Sequence, residues 1–220
     1  TLDRVLAAIA DVHAAPVPEA SAGHAWPWCP LRERLMLLSP SSAAQFQADG
    51  VAAGARFLDG WAAFDDLATP DVRALIARLD ADPSSLLAAL ASLPPALLHG
   101  DLKVANVAPL ADGRTAFIDW QMVMVAPVAV DLAYLLVANT SAFPMGPAEV
   151  LDCYRAAARP MSDDDWAATV DLIMITGLLL RGWRKGLDAR AGARLASGID
   201  AADDLAWWGE RAVEAAGRRL

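Results

Sequence analysis

The sequence predicts a mostly helical α+β protein, a bundle of helices built around one small β-hairpin. Three observations predict it. The 220 residues are 56% hydrophobic and 20% charged, the composition of a packed globular protein and not of a disordered one. Most of the chain runs in alanine- and leucine-rich stretches with helical spacing, punctuated by proline. Between residues 96 and 119 that texture changes to short apolar and β-branched runs around an Asp-Gly pair.

In chain order, residues 1–16 place Leu2, Leu6, Ile9 and His13 on one helical face, and Pro16 and Pro18 close the helix. VPEASAGHAWPWCP, 17–30, is a loop. Helices are expected at 31–38, 42–64, 70–80 and 84–92, with Ser41 or Ser42 and Thr69 as caps. No alternating strand pattern occurs before residue 96. The apolar run ALL at 96–98 ends at His99-Gly100-Asp101. NVAPL at 106–110 and TAFID at 115–119 read as the two strands of a hairpin turned at Asp112-Gly113. Helices follow after Pro127 and at 147–158, 163–186 and 189–216, with no internal repeat.

The formal net charge of −9 argues against a nucleic-acid partner, because a phosphate backbone attracts the opposite balance. It serves solubility and would also suit a cationic substrate or a magnesium-dependent site. Cys29 and Cys153 form no metal-ligand pattern, which makes a reduced cytoplasmic protein the expectation, with a single disulfide as the alternative. Acidic residues inside the first helix are unlike a signal peptide. Asp131 and Arg181 interrupt the most apolar stretches short of the ~20 apolar residues of a membrane span, so no membrane partner is expected.

The chemistry concentrates in LLHGDLKVANV, 97–107. If the hairpin folds back at Asp112-Gly113, Asp119 at the end of its second strand returns beside Asn106 at the start of its first. A carboxylate and an amide oxygen then converge, and hard oxygen ligands of this kind suit Mg²⁺. Asp101, on the same loop, is placed to orient or deprotonate a substrate hydroxyl. Phosphoryl transfer asks for such parts, because its catalysis is mostly positioning and charge neutralisation.

HGDLKVAN, then FIDWQ, then PVAVDLAYLL resembles the aminoglycoside phosphotransferase and choline kinase superfamily, whose fold is protein-kinase-like. The resemblance implies that Asp101 is the catalytic aspartate and that Asn106 and Asp119 hold Mg²⁺. It implies that Asp131 is a buried brace of the catalytic loop, though charge at a helix N-terminus would also account for that residue. His99 and Gly100 would support the loop. Lys103, one of two lysines in the chain, resembles the catalytic-loop lysine of serine/threonine kinases that touches the transferred phosphate. An exposed lysine beside an acidic pocket is the plainer alternative. The expected cofactors are Mg²⁺ and ATP as co-substrate, and the expected partner is a small molecule with a hydroxyl group: an aminoglycoside, choline, a sugar or a related alcohol. The acidic charge favours a polar or cationic one.

The superfamily's β-rich N-terminal lobe finds no counterpart here, since no lysine precedes Lys103 and no glycine-rich phosphate loop occurs. TLDRVLAAIADVHAAP instead resembles the first helix after the hinge. The chain is therefore expected to be a C-terminal lobe alone, with 1–95 helical, 96–131 carrying the catalytic loop and metal-binding hairpin, and 132–220 the helical substrate-binding part. An N-terminal kinase lobe would come from the same or another chain. A catalytically silent binding module on the same lobe is the rival reading, and a metal-dependent hydrolase using His99, Asp101 and Asp119 is a weaker one. Trp26, Trp28, Trp61, Trp183, Trp207 and Trp208 read as core more than as a substrate cleft. Asp163-Asp164-Asp165 reads as helix N-terminal charge, and Asp203-Asp204 as a possible attraction for a cation. His13, His24, Cys29 and Cys153 show no ligand set.

Overall fold

The computed structural model describes residues 2–17, 28–140 and 142–220. His24 and Trp26 lie outside the described residues. The element order is α1 (Leu2–Ala14), α2 (Leu31–Met36), α3 (Pro40–Ala48), α4 (Gly54–Leu67), α5 (Pro70–Ala81), α6 (Ser84–Ala91), β1 (Pro95–Leu98), β2 (Val107–Pro109), β3 (Thr115–Phe117), β4 (Met124–Pro127), α7 (Ala129–Ala138), α8 (Pro147–Ala157), α9 (Asp163–Arg190) and α10 (Ala201–Arg219). It is a mostly helical α+β fold with two small antiparallel sheets.

The long helix α9 organises the bundle by packing against α10, α4 and α7. Its approach to α4 is close because glycines meet there: a Cβ on Gly60 would lie 2.5 Å from the carbonyl oxygen of Trp183, and one on Gly186 would lie 2.5 Å from the Phe64 backbone nitrogen. Trp61, Trp183 and Trp208 are buried and belong to the core, as their helical spacing suggests. By length and composition α9 is long and apolar enough to cross a membrane, although its apolar run is interrupted, as Arg181 led one to expect. Its most apolar 18-residue window holds two charged side chains, Asp171 and Arg181. Some 78% of that window is buried inside the fold, as in the core helix of a globular bundle.

Three expectations are corrected. The helix expected at 42–64 is two helices, α3 and α4, divided where Gly50 adopts φ +73°. The helix expected from 189 begins only at Ala201. Before it, Gly192 (φ +63°) and Gly198 (φ +84°) shape a turn closed by an Arg194–Asp200 bridge. The third is strand β4, which pairs with β1 in the register Leu98↔Met124 and was not expected. The caps also shift. Ser39, not Ser41 or Ser42, accepts the first-turn N–H of α3, and Thr69 occupies the N-cap position of α5 without a side-chain hydrogen bond.

The hairpin forms as expected in β2 and β3, with Val107 opposite Phe117. Its turn is longer than two residues and spans 110–114. The Asp112 carboxylate accepts from the Arg114 N–H (3.0 Å), and Gly113 takes φ +91°. The Arg4 guanidinium ties this turn to α1 by donating to the carbonyls of Leu110 and Arg114.

Candidate active site

The loop from His99 to Asn106 leaves β1 and is held from three sides. From α7, Asp131 accepts the N–H of His99 and of Gly100 on separate carboxylate oxygens, both at 2.8 Å. From α1, His13 Nε2 reaches the Asp131 carboxylate at 3.2 Å, while His13 Nδ1 meets the Tyr154 hydroxyl of α8 at 2.8 Å. His13 thus has the carboxylate partner that its sequence context did not reveal. Asp131 is 1% exposed. Burial alone would raise its carboxyl, but the His13 hydrogen bond and charge and the two loop amides outweigh burial and hold it below the ordinary value. The same carboxylate and its own burial push Tyr154 well above the usual phenol range.

Gly100 is dictated by the loop. Its φ is +79°, and a Cβ there would lie 1.9 Å from the Met122 carbonyl oxygen, so only glycine fits between this loop and the segment before β4. Its carbonyl accepts from the Nε of Arg34, a buried arginine on α2. Asn139, at the end of α7, fixes the other flank by accepting the Val104 N–H at 2.7 Å.

His99 has both ring nitrogens engaged. Nδ1 accepts the Asp101 N–H (3.2 Å), so the proton sits on Nε2, which donates to the Ile118 carbonyl (2.8 Å). The ring also lies against Trp120, with centroids 4.7 Å apart. An imidazole so committed leaves no nitrogen for a metal, which removes the ground for the hydrolase reading.

Asp101 is 8% exposed. Its carboxylate pairs with Lys103 Nζ at 2.7 Å and accepts from Asn106 Nδ2 at 3.2 Å. Burial raises the Asp101 carboxyl. Hydrogen bonds from Lys103 and Tyr134 and the charges of Lys103 and Arg34 more than offset that and hold it below the ordinary carboxylate value. The same pair raises Lys103, to which Asp119 also contributes.

Asn106 closes a 3₁₀ turn at Val104–Asn106 and is buried. Its Nδ2 also donates to the Asp101 carbonyl (2.9 Å), which fixes the orientation of the amide and leaves Oδ1 for another partner. The Asn106 carbonyl accepts from Ile118 N (3.0 Å), so the hairpin does return the residue before Asp119 to the start of β2. Asp119 is exposed and takes φ 66°, ψ 57°, the one non-glycine residue in the left-handed region among the described residues. Its side chain makes no hydrogen bond or ion pair with any described residue. No group of three His, Cys, Asp or Glu side chains gathers into a metal cage among the described residues. One carboxylate and one amide oxygen are nevertheless a donor set that fits Mg²⁺, which keeps water and phosphate oxygens as its other ligands.

Sequence reasoning missed Arg34, Tyr134, Asn139 and Tyr154. Arg34 carried a usable signal, since it falls in the apolar phase of Leu31, Leu35 and Leu38. Tyr134 stands between two guanidiniums, with Arg34 4.4 Å and Arg181 5.8 Å from its ring centroid. Of the two acidic runs, Asp163–Asp165 sits in the first turn of α9, where the Asp165 N–H donates to the Ser162 hydroxyl. Asp204 is buried and paired with Lys185, so it is not free to attract a ligand. Both cysteines are free.

Comparison with known proteins gives one positive finding. The family model of the phosphotransferase enzyme family matches residues 1–169, a span that contains every residue of the loop, the hairpin and Asp131. Neither a curated protein nor a solved structure matches. The match covers the greater part of the 220 residues and the whole of the site just described: the chain belongs to the phosphotransferase enzyme family.

Proposed function

We propose that this chain is the helical, substrate-binding lobe of an ATP-dependent phosphotransferase that moves the γ-phosphoryl group to a hydroxyl of a small molecule. The observation that carries the reading is Asp101, a carboxylate drawn out of solvent yet held ionised on a braced loop. Such a group accepts the proton of an alcohol as its oxygen attacks phosphorus. The bond from the γ-phosphorus to the bridging oxygen breaks, and ADP leaves with that electron pair.

Asn106 through Oδ1 and Asp119 through its exposed carboxylate would hold Mg²⁺. When bound, Mg²⁺ supplies charge neutralisation at the phosphate oxygens. Lys103 holds Asp101 now (2.7 Å), and its ammonium is placed to exchange that partner for a phosphate oxygen. An N-terminal kinase lobe, on the same or another chain, would supply the remaining nucleotide surface, and the isolated 220 residues should bind nucleotide weakly. A cytoplasmic location fits two free cysteines.

A catalytically silent binding module is the second reading. The Lys103–Asp101 pair favours it, since it occupies the carboxylate. The test begins with the intact mass of the natively expressed protein, which shows whether a second lobe is attached. Transfer from Mg-ATP to a panel of alcohols is then measured for the native protein and for Asp101→Ala. The expected outcome is a loss of roughly 10²–10⁴-fold, the usual contribution of a positioned proton acceptor, with an unchanged melting temperature. Transfer that survives the substitution would sink the catalytic role of Asp101, and a silent native protein would leave the binding module. A robust rate from the 220 residues alone would overturn the need for a second lobe.

A further inference from the structure

Beside Tyr134 lies a cavity of about 290 Å³ between the end of α7, the second half of α9 and the turn before α10, and its arginines fall outside the stretch that the family model matches. Three arginines line it, Arg181, Arg184 and Arg194, with a single carboxylate, Asp188. Arg184 is paired with Asp188 (2.9 Å) and Arg194 with Asp200 (3.2 Å). Arg181 has no carboxylate partner among the described residues. Its one hydrogen bond is a long one (3.5 Å) to the Tyr134 hydroxyl, and its Nε is buried without a partner. It stands at the single break in α9, where the backbone leaves helical geometry (φ −140°, ψ 16°). Burial lowers the guanidinium from its ordinary value, and the attraction of Tyr134 and Asp188 does not make this good. Arg181 is part-buried, with the centroids of the Tyr134 and Trp183 rings 5.8 and 5.1 Å from its guanidinium carbon, and a cation so placed gains from an anion that joins it.

We infer that the acceptor alcohol carries a carboxylate or phosphate group, bound by Arg181 in this cavity while its hydroxyl faces Asp101. The inference rests on the phosphotransferase reading and narrows it. The geometry links the two ends. Tyr134 meets Arg181 through its hydroxyl (3.5 Å) and Arg34 through its ring (4.4 Å), and the Arg34 Nε donates to the carbonyl of Gly100, the residue before Asp101, so the unpaired guanidinium of the cavity lies one tyrosine away from the loop that carries Asp101. Two charges oppose an anion here. The C-terminus of α7 contributes roughly half a negative charge, less than the full unpaired one on Arg181. The chain's net −9 is spread over a surface screened beyond about 8–10 Å. Local charge therefore decides, and it favours the opposite of the cationic alcohol that the composition suggested.

The test is calorimetric titration of the native protein, without nucleotide, with four probes that share a six-carbon sugar skeleton: gluconate, glucose 6-phosphate, glucose and glucosamine. At least one anion should bind roughly tenfold or more tightly than glucose, and glucosamine more weakly than glucose. The tighter anion identifies carboxylate or phosphate as the group. Arg181→Gln should lower that affinity about tenfold and leave glucose nearly unchanged. Arg194→Gln, on an exposed side chain that folding does not need, should lower it about two- to threefold. The inference is overturned if neither anion binds, if glucosamine binds best, or if both variants hold the anion as the native protein does. The reading beneath it fails separately. Transfer from Mg-ATP to a neutral or cationic alcohol without anion binding sinks the inference alone. Anion binding with no transfer to any alcohol sinks the phosphotransferase reading, and the acceptor role with it.

Discussion

Two buried carboxylates show how differently one residue type serves the two halves of the molecule. Asp131, at the start of α7, accepts the backbone N–H groups of His99 and Gly100 as well as pairing with His13. Asp204, on α10, pairs with Lys185 of α9, whose ammonium also lies 4.7 Å from the centroid of the Trp208 ring. Both aspartates are nearly inaccessible to water. The first carboxylate sets the path of a backbone. The second joins two side chains inside a helix–helix interface. A buried ion pair of that second kind contributes little over a well-packed apolar pair, because desolvation consumes the attraction. A carboxylate that satisfies backbone amides has no apolar substitute.

The comparison can be broken by substitution. Asp131→Ala strands two buried N–H groups and His13, and should cost about 3–5 kcal/mol, read by chemical denaturation, with loss of transfer in whatever remains folded. Lys185→Met should cost a similar amount by leaving Asp204 buried and alone. The sharp outcome is the double change Lys185→Met with Asp204→Leu, expected to return to within about 1–2 kcal/mol of the native protein or to exceed it. No partner substitution should rescue Asp131→Ala, and a His13→Leu change that did so would refute the brace.

What was legible follows the same division. Asp101, Lys103, Asn106 and Asp119 could be singled out because the loop and hairpin fix their relations within twenty residues. Asp131 was legible only through resemblance. Tyr154 was not legible, because its contact with His13 crosses 141 residues of sequence, and Arg34 showed only that it falls in an apolar phase, since its partner Gly100 lies 66 residues away. Strand β4 escaped because it is four residues long and its partner is β1, nearly thirty residues earlier. The turn before α10 escaped because ARAGARLASG carries helix-forming residues. Gly192 and Gly198, in the left-handed region, override them. Arg181 read only as an interruption of an apolar run. Nothing local distinguishes such a residue from a bare defect in the pattern until the fold encloses it.

Acid sharpens the comparison at smaller amplitude. Asp101, Asp131 and Asp171, the last on α9 and paired with Arg218 and Arg219 of α10, all sit below their ordinary values. Their contribution to stability is therefore complete above the unfolded carboxyl value, about 4, and is lost as pH falls through the lower folded values. Denaturation midpoints should owe no slope to these groups between pH 5 and 8 and should drop below about pH 4. Asp131→Asn should flatten that drop. Transfer activity should likewise show no acid limb from Asp101 above about pH 4, and a limb near pH 6 assigned to Asp101 by its disappearance in Asp101→Asn would overturn its placement as an ionised acceptor.

The smallest effect concerns two helix starts that read alike in sequence. Ser162 before α9 and Thr69 before α5 both take the extended backbone of an N-cap. At Ser162 the hydroxyl accepts the Asp165 N–H at 3.1 Å and donates to the Asp165 carboxylate at 2.8 Å. At Thr69 no such bond forms, although Pro70 follows it as the first helical residue. Proline at that position already removes one N–H that a cap would serve. Ser162→Ala should therefore cost about 1 kcal/mol and Thr69→Ala only a few tenths, measured side by side by urea denaturation at neutral pH. Equal losses would mean that cap position alone, and not the hydrogen bond, sets the stability of these helix starts. A larger loss at Ser162 would tie the acidic run 163–165 to the anchoring of α9, on which the cationic cavity at its far end depends.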